Sequence, residues 1–145
     1  EVESGEIRHA LRFTVDISRT NWVWPARHQS GATGDVNAPP MGLRLRMKAG
    51  YDLPGATPRV RTILAALKKY GMMVADNGTD WYLNGVPDPR WDDDELSVIN
   101  DIPGSAFEVV EVASLQLGPD SGATPHLFSD GFDGGSAQHW SVVAP

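Results

Sequence analysis

The chain has 145 residues, enough for one ordinary domain with roughly 68–70% of its unfolded surface buried around a single core. Hydrophobic residues make up 41% and charged residues 21%, near globular averages, while 15 Gly and 11 Pro announce many turns. A formal charge of -7 with scattered basic residues disfavours nucleic acid, no apolar run approaches the roughly 18–20 residues of a membrane-crossing helix, and the lack of cysteine excludes disulfides, thiolate metal sites and a cysteine nucleophile.

The chain opens on Glu1 rather than Met, so its start is expected to have been removed or to lie upstream. From Ile7 to Val15 the residues alternate, with His9, Leu11, Phe13 and Val15 on one face, which predicts a half-buried strand with His9 pointing inward. The stretch from Ser18 to Pro40 carries Trp22, Trp24 and His28 and then runs into Gly, Asn and Pro, predicting a strand end and a long loop. After it Leu43, Leu45 and Met47 alternate with Arg44, Arg46 and Lys48, a second strand.

The best helix signal spans residues 58–70. Thr57 stands as N-cap, Pro58 at the first helical position, Lys68 and Lys69 in the last turn and Gly71 as terminator, and Val60, Ile63, Leu64, Leu67 and Tyr70 form an apolar stripe. A short strand from Met72 leads into Asp76-Asn77-Gly78, with the segment from Trp81 expected as its hairpin partner. Asp92, three residues before Glu95, predicts a short helix over 93–100, and Phe107–Val112 reads as the last strand. Beyond Ala113 the composition turns to Gly, Ser, Asp and Pro, so we expect a domain over 1–113 followed by a linker and the start of another module over 114–145.

Together these elements predict an α+β domain, mostly antiparallel, with one amphipathic helix and one short one. Asp76 is the leading candidate for a catalytic acid or base, because a carboxylate at a strand end can be partly desolvated; the alternative is a routine turn former. Asp80, four residues on, could return beside it in a hairpin and supply the paired carboxylates of glycoside hydrolysis, and His9 could serve as helper or simply as a core residue. Trp22 and Trp24, two apart, and Trp81 and Trp91 are each either core or a flat platform for a sugar ring. The acidic run Asp92–Glu95 lacks the spacing of a calcium loop and suits a helix N-terminus, and no phosphate loop, nucleophile elbow or zinc-spaced histidine pair is present; neither metal nor cofactor is expected.

The segments GEIRHALRFT, WPARH, PPMGLRLRMKA, ILAALKKYGMMVADNGTDWYLNG and PDPRWDDDEL, over about residues 5 to 112, resemble an uncharacterised family of secreted bacterial proteins often joined to carbohydrate-related modules. The resemblance implies an extracellular location, covalently linked neighbouring modules, and a chain that is the C-terminal part of a longer conserved region. PPMGLRLRM followed by YGMMVADNG is also similar to the P-x-G-T-R-V and Y-G-x-x-x-A-x-D-T-G pattern of double-psi β-barrels in three-aspartate domains, whose relatives include lytic transglycosylases, expansins and some endoglucanases. That similarity implies a double-psi-barrel-like fold with Asp76 at the pattern's aspartate, although Asn77 replaces Thr and a helix separates the two halves.

Three readings follow. The first is an extracellular polysaccharide-acting domain that cleaves glycosides with Asp76, aided by Asp80 or His9, on platforms led by Trp24 and Trp91. The second is a non-catalytic carbohydrate-binding module, and the third an interaction domain in which all these residues are core or turn.

Overall fold

A computed structural model describes residues 1–113, in which helix α1 (Pro58–Lys69) is the element the local chemistry specifies most completely. The Thr57 hydroxyl accepts the Val60 N–H at 3.3 Å, Pro58 occupies the first turn, and Gly71 leaves the helix at φ +73°. Gly71 is required twice over, because a Cβ there would also meet the Leu45 carbonyl of the neighbouring strand. Val60, Ile63, Leu64, Leu67 and Tyr70 are all buried, and the stripe packs into the core with Phe13, Val15, Leu45, Met47, Met72 and Val74 from the sheet.

The domain is a small α+β domain whose strands are β1 (Leu11–Val15), β2 (Arg44–Met47), β3 (Met72–Asn77), β4 (Leu83–Asn84) and β5 (Phe107–Val110). They form one mixed sheet in the order β4-β1-β3-β2-β5. β1 runs parallel to β3, while β1·β4, β2·β3 and β2·β5 are antiparallel. The sheet is open, with β4 and β5 as its edges, so no closed barrel forms among the described residues. The second helix, α2 (Asp93–Leu96), begins at Asp92, whose side chain accepts the Glu95 N–H at 3.1 Å, and tightens into a 3-10 turn over Ser97–Asp101. Glu95 does not complete a capping box; it turns to the Thr57 hydroxyl and to Arg59 and so ties α2 to the start of α1.

Several expectations are corrected by this arrangement. The first strand begins at Leu11, not Ile7, because its ladder starts where Gly71 releases β3: the Leu11 N–H donates to the Gly71 carbonyl and Leu11 pairs with Met72. Residues 7–10 pair with no strand among the described residues, and His9 is exposed rather than inward. β4 is not the hairpin partner of β3. The chain from Asn77 to Tyr82 curls over the end of β1, with Gly78 N–H on the Val15 carbonyl and Trp81 N–H on the Thr14 carbonyl, and β4 then pairs with the far side of β1.

All four residues of β2 are buried, because β2 lies inside the sheet and is covered on both faces. Arg44 is only 3% exposed; its Nε donates to the Tyr70 carbonyl at 3.0 Å and Nη2 reaches the same oxygen. Burial pushes its guanidinium down to about 10. Arg46 pairs with Glu108 across the β2·β5 ladder. The last strand stops at Val110, although Val112 remains buried beside Trp24 in a separate small cluster. The linker and following module expected over 114–145 lie outside the described residues.

Candidate functional site

The end of β1 is the point where chemistry-bearing side chains gather. β1 is apolar where it crosses the sheet, with Phe13 and Val15 buried, and the chain turns polar at Asp16 as soon as it leaves. The returning segment after β3 is held to this end by the Thr14 hydroxyl, which donates to the Thr79 carbonyl at 2.5 Å, and by Asp80, whose Oδ1 accepts the Asp16 N–H at 2.6 Å.

Asn77 fastens the long loop to the same place. Its amide accepts from the Ser18 hydroxyl at 3.1 Å and lies 3.3 Å and 3.4 Å from the Val15 and Asp16 carbonyls; turned over, it keeps Ser18 and reaches the Ser30 carbonyl at 3.1 Å. Gly31 completes the closure, because a Cβ there would run into the Ser18 carbonyl.

These contacts wall a cavity of about 480 Å³ that opens to solvent. Phe13, Val15 and Leu45 contribute apolar lining, the 38–39 stretch of the long loop contributes Ala38 and Pro39, and Trp81 contributes an indole. Three carboxylates, Asp16, Asp35 and Asp80, also line it. The Asp35 carboxylate is oriented by Asn37, whose backbone N–H and side-chain amide donate to Oδ1 at 2.9 Å and 3.0 Å. Among the described residues none of the three aspartates forms an ion pair.

Trp81 is held in an unusual way. Its φ is +59°, a left-handed conformation that bulky residues rarely adopt, and it follows from the tight curl over β1. The ring stacks on Phe13 with centroids 5.4 Å apart and tilts against Phe107 at 5.7 Å, yet the residue stays 46% exposed.

The sequence-derived candidates separate. Asp80 and Trp81 line the cavity, whereas Asp76 is exposed at the end of β3, caps its own following residue through the Asn77 N–H at 2.9 Å, and is not among the lining residues. His9 lies at the surface, with Nε2 3.0 Å from Glu1 Oε2. Trp22 and Trp24 do not share a strand face. Trp22 makes an isolated bridge with Met41 and is 43% exposed, while Trp24 is 7% exposed against Val110 and Val112 and so has no face free for a ligand. Trp91 is half-buried, its indole N–H donating to the Val86 carbonyl at 2.8 Å.

Asp16 and Asp35 were missed by the sequence reading. Each carried a weak local sign, Asp16 as the first polar residue after an apolar strand and Asp35 as an Asx turn before Asn37, but only the fold brings them to one cavity. Among the described residues no cluster of His, Cys, Asp or Glu is arranged to hold a metal ion, and no helix is long and apolar enough to cross a membrane.

Comparisons with protein-family models, curated proteins and solved structures found no match to this chain.

Proposed function

We propose that this domain engages a polysaccharide outside the cell, with the cavity at the end of β1 accommodating a sugar unit. The observation that supports the reading is the pairing of an exposed indole and an apolar lining with three aspartates that form no ion pair among the described residues. A pyranose ring presents apolar C–H faces inside a perimeter of hydroxyl donors, and this surface complements both. About 480 Å³ also falls within the roughly 300–1,000 Å³ of small-molecule pockets.

Within this reading the binding module needs only Trp81 and the aspartates. Glycoside cleavage needs in addition a carboxylic acid and a second carboxylate across the bond, roles that fall to Asp80 with Asp16 or Asp35 in the cavity. The double-psi-barrel similarity would instead give the acid's role to Asp76. It draws support from the adjacency of β2 and β3, which carry its two motif halves, and is weakened by the open sheet. Secretion and linkage to neighbouring carbohydrate-related modules belong to the same proposal.

The test is incubation with cellulose, mixed-linkage glucan, xylan, chitin and peptidoglycan, scoring both depletion onto the solid and soluble oligosaccharides by mass spectrometry. Asp80→Asn and Asp76→Asn are run in parallel. Binding without products, weakened by Trp81→Ala, establishes the binding module. Products lost in one Asp variant establish cleavage and choose between the two aspartates. Neither binding nor products on any glycan ends the carbohydrate reading.

A further inference from the structure

We infer that Asn84, in the edge strand β4, is a site of spontaneous deamidation and isoaspartate formation, and that the fold withholds the same chemistry from Asn77. Both residues precede a glycine, and Asn77-Gly78 and Asn84-Gly85 are the two Asn-Gly pairs of the sequence. Local chemistry is the same in each, because a glycine puts no Cβ beside the backbone nitrogen that must attack the asparagine side chain. The surroundings decide between them.

In the reaction a base from solvent takes the proton of the glycine N–H, and the nitrogen attacks the asparagine Cγ. A C–N bond closes a cyclic imide, the bond from Cγ to Nδ2 breaks, and ammonia leaves with a proton from water. Water then opens the imide. Breaking the new bond gives aspartate, and breaking the original peptide bond gives isoaspartate, with the chain continuing through the side chain. In balance an amide and water become a carboxylic acid and ammonia, and nothing is oxidised or reduced. Closure needs a free glycine nitrogen, a free side chain, and a backbone able to leave the extended strand conformation, which holds the nitrogen away from Cγ.

Asn77 has none of these freedoms. The Gly78 N–H donates to the Val15 carbonyl at 2.9 Å, and the Asn77 amide is bonded to Ser18 whichever way it is turned. Asn77 also pairs with Val15 in the parallel β1·β3 ladder, inside the sheet. Asn84 has all three. It and Gly85 are exposed, and neither the Asn84 amide nor the Gly85 N–H makes a hydrogen bond among the described residues. β4 is only two residues long and has β1 alone beside it. A strand this short at a sheet edge opens at little cost. The product carboxylate would stand opposite Arg12, the cross-strand neighbour of Asn84, which forms no ion pair among the described residues.

The experiment holds the full chain in warm, mildly alkaline buffer made with heavy-oxygen water and digests samples at intervals. Mass spectrometry reads the peptides, with aspartyl and isoaspartyl products separated against synthetic standards. In the folded protein Asn84 is expected to convert at least about tenfold faster than Asn77, the weight of one or two hydrogen bonds that must open first, and the two rates should converge in urea. Gly85→Ala, whose Cβ would meet only Trp91 Cζ2 at 3.9 Å, should keep its thermal unfolding midpoint and slow conversion at Asn84 several-fold. Equal rates in the folded protein, faster conversion at Asn77, or an Asn84 that stays intact while the urea-unfolded chain converts overturns the inference. A rate difference that persists in urea also overturns it, by assigning the effect to local sequence and not to the fold. An undiminished rate in folded Gly85→Ala does the same, by removing the Gly85 nitrogen from the reaction.

Discussion

Asp80, in the turn that follows β3, grips the backbone N–H of Asp16, the first residue after β1, at 2.6 Å. This hydrogen bond joins two segments 64 residues apart at the wall of the cavity. Asp80→Ala should lower stability by about 1 kcal/mol in urea unfolding, and Asp80→Asn by less because an amide oxygen can still accept. Amide exchange at Asp16 is the sharper readout: it should accelerate in the alanine variant and change little in the asparagine one. Unchanged exchange in Asp80→Ala would show that the contact contributes nothing to the closure.

Arg44 carries a buried charge that pairs with no carboxylate among the described residues; its donors meet the Tyr70 carbonyl at the end of α1. The helix C-terminus is the electronegative end, so the guanidinium both satisfies a terminal carbonyl and complements the dipole. Arg44→Met keeps much of the volume but takes the guanidinium donors away from that carbonyl, an expected loss of about 1–3 kcal/mol less whatever is regained by removing a buried charge. Arg44→Ala adds a cavity and should cost more. Thermal unfolding of the two variants checks the order, and a methionine variant less stable than the alanine one would contradict this account.

Trp22 and Trp24 differ by two positions and should differ widely in energetic weight. Trp24→Ala is expected to cost about 3–5 kcal/mol, as for a buried aromatic. Trp22→Ala, at an exposed site, should stay within about 0.5 kcal/mol. Urea midpoints measure both, and iodide should quench Trp22 and Trp81 in preference to Trp24.

Two groups at the chain's first turn and at α2 should oppose each other in pH dependence. The His9 imidazole is raised above 6.5, first by its hydrogen bond to the Ala10 carbonyl and then by Glu1. Its contribution to stability is complete below pH 6.5 and is lost as the pH rises through the raised native value. Glu95 is held below 4.5 by the Thr57 hydroxyl and then Arg59. Its contribution is present above pH 4.5 and lost as the pH falls through the lowered native value. NMR titration should place His9 above 6.5, with Glu1→Gln moving it part of the way back, and Glu95→Gln should flatten the acid limb of the stability profile.

Local chemistry alone determined α1, since its cap, first-turn proline, apolar stripe and terminal glycine all lie within residues 57–71 and act over a few residues. The same holds for the start of α2 at Asp92 and for the apolar alternation of β1 and β2. Strand partners were decided only by the tertiary structure. Adjacency in the chain suggested that β3 and β4 form a hairpin, yet the curl from Asn77 to Tyr82 lets β4 pair with β1, so Trp81 reaches the cavity. Burial followed the same division: the alternation set Arg44 on the face opposite Leu43 and Leu45, whereas its place between two strands buries it. The site was legible in part, through Asp80 and Trp81. Asp16 and Asp35 join them in the lining because which segments border a cavity depends on how distant parts of the chain meet in space, a property that local sequence does not encode.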